Sequence, residues 1–179
     1  MKLYLASSWR NAERVNKVDA FLSARGHECF NFTRPGPKAV LPEGFKWSEI
    51  DPNWLAWDKA AYRDKLNHPI AKRGLVQDFE RMLWADACVA IQPFGRSASV
   101  GVGWFVGAHK PALIILNGGE PELMFGLCDL CLDMEEAAEM LDMIQLSDGI
   151  EGVMGSGLEM DVAGHMARAR VGVGDDGPG

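Results

Sequence analysis

The chain lacks both a membrane-spanning segment and a secretion signal. No apolar run reaches the roughly 18 residues that a helix needs to cross a bilayer. The N-terminal stretch MKLYLASSWRN has one lysine and only a short apolar run, which is too little for a signal peptide. We therefore expect a cytoplasmic protein whose main partner is not a membrane.

The sequence also lacks a surplus of positive charge. Its formal net charge is −7, with 18 lysines and arginines against 25 acidic residues. A nucleic-acid backbone and an anionic lipid surface both prefer a basic protein face. We therefore expect no nucleic-acid partner, whereas a small anionic ligand needs only a few local hydrogen-bond donors.

Few residues are available for a metal or redox centre. Cys29 and Cys88 lie in apolar, strand-like runs that are typical of buried thiols. Cys128 and Cys131 form a lone C-x-x-C, without the second pair or the nearby histidines that a zinc site requires. The four histidines show no metal-binding spacing. The sequence therefore predicts structural cysteines, no metal and no cofactor.

What the chain contains is an alternation of short apolar strands and helical segments. The strand-like runs are KLYLA, ECFNF, ACVAIQP, ALIILN and LCDLCLD. The helix between the first two ends at Gly26, which indicates a right-handed β-α-β crossover between parallel strands. We predict an α/β protein: a Rossmann-like, flavodoxin-type three-layer sandwich around a parallel five-stranded sheet. The helix before the third strand carries four apolar residues on one face: Leu75, Phe79, Met82 and Leu83.

Two regions depart from this alternation. Residues 33–52 carry four prolines and little periodicity, which is typical of a functional segment such as a lid. Residues 147–179 hold nine of the 20 glycines and no aromatic residue, which predicts a flexible tail. We therefore divide the chain into a domain at 1–146 and a tail at 147–179. The amphipathic helix predicted at 134–146 is either the last core helix or an oligomer interface.

Two loops of similar composition follow the first and third strands. In a flavodoxin-type sheet these strands flank the crevice in which ligands bind, beyond the carboxyl ends of the strands. Hydroxyls, arginines and the free N–H groups of helix starts suit a sugar or a phosphate. Plain helix capping is the alternative role for the serines. The binding candidates are Ser7, Arg10, Gly95, Arg96, Ser97 and Ser99.

Aromatic and acidic residues add to this candidate site. Trp9, in the first loop, and Trp54, beside the proline-rich segment, are candidates to stack on a base, with core or lid packing as the alternative. Asp51 is a further substrate-binding candidate in the same segment as Trp54. Asp78, ahead of the third strand, is a candidate to fix a ribose hydroxyl or to act as a general base. The alternative for Asp78 is a solvated acid on a helix face.

In their order and spacing, several segments resemble the nucleoside 2-deoxyribosyltransferase-like proteins. They lie between about Met1 and Gly126 and read KLYLASSW, GHECFNF, WSEIDPNWLAW, HPIAKRGLVQDFERMLWADACVAIQPFGRSAS and VGWFVGAHKPALIIL. The resemblance implies a Rossmann-like domain that cleaves N-glycosidic bonds of nucleosides or nucleotides, and a homo-oligomer. It also implies a two-step reaction in which a glutamate attacks the anomeric carbon and holds the sugar covalently.

One position departs from the pattern of this family. Asp78 matches the family's aspartate ahead of the third strand, and Gly95–Ser97 matches the loop before the nucleophile helix. The family's glutamate falls on Gly101, which has no side chain. One interpretation is an enzyme that uses a water activated by Asp78, or a substitute carboxylate such as Glu49 or Asp51. A second is a catalytically silent protein that binds a nucleoside or nucleotide, and a third is an altered family member with weak or no activity.

Overall fold

A computed structural model describes residues 1–34, 41 and 44–154 of the chain, with side chains through residue 147. The strands are β1 (Lys2–Ala6), β2 (Glu28–Asn31), β3 (Ala87–Ile91), β4 (Ala112–Ile115) and β5 (Asp129–Cys131). The helices are α1 (Ala12–Ala24), α2 (Lys59–Lys65), α3 (Pro69–Trp84), α4 (Arg96–Gly107) and α5 (Met134–Met154). Short 3₁₀ turns cover Trp9–Asn11, Trp47–Glu49, Trp54–Ala56 and Leu123–Leu127.

The five strands form one parallel sheet in the order β2-β1-β3-β4-β5. The chain runs outward from β1 to β2 and then crosses to β3 on the other side of β1. Strand order therefore reverses between β1 and β3, where Ala6 pairs with Ala90 near the carboxyl edge. The predicted α/β fold with a five-stranded parallel sheet is confirmed.

Helices cover both faces of the sheet. Tyr4 and Ala6 of β1 point toward α3 and α4, where they pack with Phe105 in one core cluster. Leu3 and Leu5, which alternate with them and are fully buried, point to the opposite face. Helices α1 and the first half of α5 contribute further buried residues: Val15, Val18, Leu22, Ala137, Ala138 and Leu141.

Two features bear on the predicted domain boundary at residue 146. The chain divides into two units, Met1–Asp142 and Met143–Gly179, and the sheet lies in the first. Helix α5 continues to Met154, past the end that the sequence pattern indicates, and its buried residues make its first half a core helix. Most of the proposed tail and part of the proline-rich segment lie outside the described residues. Within the described ranges, no helix combines the length and the hydropathy of a membrane span.

Candidate functional site

The loops after β1 and β3 are bonded to each other at the carboxyl edge of the sheet. The Ser7 hydroxyl donates to the carbonyl of Ile91 at 2.6 Å. The Asn11 amide donates to the Ser7 hydroxyl at 3.1 Å and to the carbonyls of Ile91 and Gln92 at 3.2 and 3.1 Å. The two loops therefore lie side by side. Because the Ser7 hydrogen is used in this contact, Ser7 can serve a ligand only as an acceptor.

Arg14, on the first turn of α1, joins the same edge to β4. Its guanidinium donates to the carbonyl of Gln92 at 3.0 Å and to that of Leu116 at 2.9 Å. Asn11 and Arg14 thus fix the ends of three neighbouring strands. Neither residue is predicted from the sequence, since nothing in a sequence distinguishes a contact at the sheet edge from a solvated polar residue at a helix start.

The start of α4 is open to solvent and is not capped by a side chain. Gly95 occupies the N-cap position and has no side chain to accept a bond. Ser99 donates back to the Gly95 carbonyl at 3.3 Å, whereas Ser97 makes no side-chain hydrogen bond within the described residues. The first N–H groups of the helix therefore remain free donors for an anion or a hydroxyl. Helix capping, the alternative for these serines, applies instead to Ser8, whose hydroxyl accepts from the Arg10 amide at 3.3 Å.

Two arginines flank this open edge. Arg10 and Arg96 are both exposed, and neither forms an ion pair with any described residue. An unpaired guanidinium can fork onto two oxygens of a phosphate or a carboxylate. The carboxyl edge thus carries free positive charge, although the whole chain is acidic.

Asp78 lies on α3 under the sheet face that carries Tyr4. Its side chain is largely buried and has no hydrogen-bond or ion-pair partner among the described residues. Burial alone raises the pKa of this carboxyl to about 6. Burial also raises the pKa of Tyr4, and the nearby carboxylate of Asp78 raises it further. Asp78 is therefore a carboxyl group on the side of α3 that faces the sheet, and it can take or release a proton close to neutral pH.

Gly101 faces the same side of α3. A Cβ placed on Gly101 meets only one atom within 4 Å, the Met82 methyl at 3.9 Å. Met82 follows Asp78 by one helical turn, so the two side chains are neighbours on the surface of α3. Gly101 thus lies opposite the side of α3 that carries Met82 and Asp78, and a Cβ at this position has space.

The two tryptophans that are candidates to stack on a base are only partly covered by neighbouring residues. Trp9 meets Phe32 edge-on at 5.2 Å, and its ring lies over Gly44. Gly44 has a φ of +76°, and a Cβ there would come within 2.5 Å of the Trp9 ring, so glycine is required at this contact. Trp9 keeps 43% of its surface exposed, and Trp54 is also half-exposed. Both rings retain free surface for a base.

Asp51 has a local role that the sequence does not reveal. It accepts from the Trp57 indole N–H at 2.7 Å and from the Asn53 amide at 2.8 Å. These bonds, the one from Trp57 above all, lower the pKa of Asp51. Since both oxygens already hold the turn around Trp54, Asp51 is poorly suited to act as a nucleophile. Glu49, in the preceding 3₁₀ turn, is exposed.

Comparison with known proteins gives similarity of fold at low sequence identity. No protein-family model matches the chain, and no curated protein matches its sequence. A solved 2-deoxyribosyltransferase of Bacillus psychrosaccharolyticus is 18% identical, with a TM-score of 0.53 over 77% of this chain and 90% of that one. A CMP N-glycosidase of Clostridium botulinum is 14% identical, with a TM-score of 0.43 over 79% of this chain and 99% of that one. The first of these likenesses shows that the chain has a nucleoside 2-deoxyribosyltransferase-like fold.

Proposed function

We propose that the protein binds a nucleoside or a nucleoside monophosphate at the carboxyl edge of β1 and β3 and cleaves its N-glycosidic bond. The observation that carries this proposal is Asp78, a largely buried carboxyl without a partner and with a pKa of about 6. A general base works best when its pKa lies near the operating pH. A carboxyl that merely faced solvent on a helix would keep its ordinary pKa.

The residues at the edge supply the binding groups. The free N–H groups at the start of α4, with Arg10 and Arg96, suit a phosphate or the hydroxyls of a sugar. The exposed surface of Trp9 suits a base, because every nucleobase has a face that stacks on an aromatic ring. Binding by these groups does not depend on the missing glutamate.

The chemical step follows from two features: Asp78 provides a carboxyl group, and Gly101 has no side chain that could attack the sugar. Without a carboxylate at Gly101, a water molecule is the attacking group. Its oxygen bonds to the anomeric carbon as the bond to the base breaks, and its proton passes to the Asp78 carboxylate. The base leaves with the bonding electrons and takes a proton from solvent. A single displacement of this kind inverts the anomeric carbon, whereas a covalent sugar intermediate would retain its configuration.

A second candidate function is binding without turnover. Gly101 favours it, because the loss of a covalent nucleophile commonly reduces a rate by several orders of magnitude. In this case the protein sequesters or senses a nucleoside or nucleotide. The binding groups are the same in both functions, so only turnover separates them.

The test is a panel of deoxynucleosides and nucleoside monophosphates, each incubated with and without acceptor bases. Chromatography follows the release of base, and calorimetry measures binding. We expect release by the native chain and a loss of about 100-fold or more in Asp78→Asn. Glu80→Gln is the matched control, because Glu80 is an exposed acid on the same helix. Binding without release would support the silent function, and the absence of both would refute the proposed site.

A further inference from the structure

Gly101 is a buried position on α4 that leaves a space beside α3. It belongs to the buried face of its helix. A Cβ built on Gly101 meets a single described atom within 4 Å, the Met82 methyl at 3.9 Å. Gly74, the buried glycine of α3, is different, because a Cβ there would lie 3.1 Å from the Phe45 ring. A close neighbour therefore fills the space at Gly74, whereas the space at Gly101 stays open.

Asp78 lies between this space and the carboxyl edge of the sheet. Helix α3 leads into the start of β3 and α4 leaves its end, so both helices run from the carboxyl edge toward the amino edge. Asp78 precedes Met82 by one helical turn and is therefore about 6 Å nearer to the carboxyl edge. No described residue bonds to its carboxyl oxygens. A small molecule in the space at Gly101 therefore lies beneath Asp78 and beneath a ligand bound at the edge.

The groups around this space tolerate a small anion. Tyr4 on β1 faces Asp78, and Cys88 on β3 lies near Tyr4; burial raises the pKa of both groups, so both stay neutral. Burial alone also raises the pKa of Asp78 to about 6, whereas the pKa of a free carboxylic acid is about 4. Between these two values Asp78 is mostly protonated and a carboxylate beside it is ionised, so the two groups do not repel each other.

We propose that the space at Gly101 binds a small monocarboxylate such as formate, which attacks the sugar in place of water, a role that rests on the proposed function. One carboxylate oxygen bonds to the anomeric carbon as the bond to the base breaks. The base leaves with the bonding electrons and takes a proton from solvent. Water then cleaves the sugar ester: its oxygen bonds to the anomeric carbon, the carboxylate leaves with the electron pair, and a proton passes to solvent. Two displacements of this kind retain the configuration of the sugar.

Met82 limits the size of the acid that this space accepts. Its methyl group lies 3.9 Å from a Cβ at Gly101, so only a group of a few atoms fits between the two helices. Formate has a single carbon, whereas benzoate carries a rigid ring. We therefore expect formate to enter the space and benzoate to be excluded from it.

The first test measures base release by the full-length protein at pH 5 in sodium formate, sodium benzoate and sodium chloride at equal ionic strength. The substrates are the same panel of deoxynucleosides and nucleoside monophosphates. We expect formate to raise the rate at least about tenfold over chloride, with a gain that saturates as the formate concentration rises. Benzoate should give no gain.

Variants of α4 show where the carboxylate acts. Gly101→Gln should abolish the gain, because its side chain fills the space without supplying a nucleophile. Gly103→Gln is the matched control and should keep the gain, since Gly103 is exposed on the same helix and a Cβ there has no neighbour within 4 Å. Circular dichroism shows whether both variants are folded. If Gly101→Gln unfolds, Gly101→Ala takes its place and should lower the gain.

The outcomes separate the role of the carboxylate from the proposed function. Base release without any gain in formate overturns this role and leaves the proposed function intact. Release in formate alone supports the role and shows that water is not the first attacking group. An equal gain in benzoate, or a gain that Gly101→Gln keeps, overturns the site at Gly101. No release in any of the three salts overturns both proposals.

A second test traps the product of the first displacement. Azide is a small anionic nucleophile, and the sugar azide that it forms resists hydrolysis. We expect mass spectrometry to detect a sugar azide with the native chain, and NMR to show inverted configuration at its anomeric carbon. Gly101→Gln should give no sugar azide, and Gly103→Gln should give as much as the native chain. Release of base by the native chain without a sugar azide would overturn the site.

Discussion

At the scale of single residues, the proposed function depends on the environment of Asp78. An acid on a helix ordinarily faces water, where it stays ionised at neutral pH. Burial beneath the sheet face that carries Tyr4 raises the pKa of Asp78 to about 6, and no described residue forms an ion pair with its carboxylate. Such a group weakens the fold at neutral pH and is typical of a functional site.

Asp78→Asn should therefore stabilise the protein at neutral pH. The folded-state pKa lies above the unfolded value of 3.8, so the folded protein binds the proton more tightly. The stability contributed by protonated Asp78 is complete below about pH 4 and is lost as the pH rises through about 6. We expect a gain of about 3 kcal/mol for the variant at pH 7.5 and little difference near pH 3.5. Urea unfolding at the two pH values measures it, and a destabilised Asp78→Asn at pH 7.5 would contradict the argument.

Gly101→Glu should restore a covalent route. A Cβ at Gly101 meets only the Met82 methyl, at an ordinary contact distance, so the backbone accepts the new side chain. We expect transfer of the sugar to an acceptor base, with retained configuration, at least tenfold above the native rate. Gly103→Glu is the control, because Gly103 is exposed on the same helix and a Cβ there has no neighbour within 4 Å. Equal transfer by the two variants would show that Gly101 does not face the sugar.

At the scale of elements, α1 secures the edge at which the ligand is proposed to bind. Asn11 and Arg14 donate to carbonyls at the ends of β3 and β4, and Asn11 donates to the Ser7 hydroxyl as well. These bonds hold the loops after β1 and β3 in place, and Arg10 and Arg96 take no part in them. The edge is therefore rigid where it meets the sheet and open where it meets solvent.

Arg14→Ala should loosen this edge. The variant leaves the carbonyl of Leu116 without its donor and that of Gln92 with only the bond from Asn11, which we expect to cost about 2 kcal/mol of unfolding free energy and to weaken nucleoside binding. Lys17→Ala is the matched control on the same helix, because Lys17 takes part only in an exposed ion pair with Glu13 and its loss should change little. Denaturant unfolding and calorimetry measure both effects, and equal behaviour of the two variants would remove Arg14 from its positioning role.

Helix α3 shows where apolar spacing alone is an insufficient guide. The spacing of Leu75, Phe79 and Leu83 is that of a core face, yet these three side chains are exposed. The core side of the helix is held by residues that a hydrophobic pattern does not reveal, such as Gly74 against Phe45. A periodic apolar face therefore does not by itself show that the core of the same chain buries it.

At the scale of the whole molecule, the sequence was sufficient to predict the architecture but not the contacts between individual side chains. The sheet and the reversal of strand order between β1 and β3 were predictable because short apolar strands separated by helices admit few topologies. The hydrogen bonds from Ser7 to Ile91 and from Trp57 to Asp51 were not predictable, because each joins residues that only the fold brings together. The burial of Asp78 was hidden for the same reason. The cytoplasmic location and the flexible tail stay predictions.

The pH dependence of base release is the most direct measure of whether Asp78 acts as the general base. For a substrate that the native chain cleaves, kcat/KM should rise about tenfold per pH unit below pH 6 and level off above it, as Asp78 becomes ionised. Asp78→Asn should remove this rise, and Glu80→Gln should keep it. A flat profile in the native chain, or an unchanged profile in Asp78→Asn, would show that Asp78 is not the base.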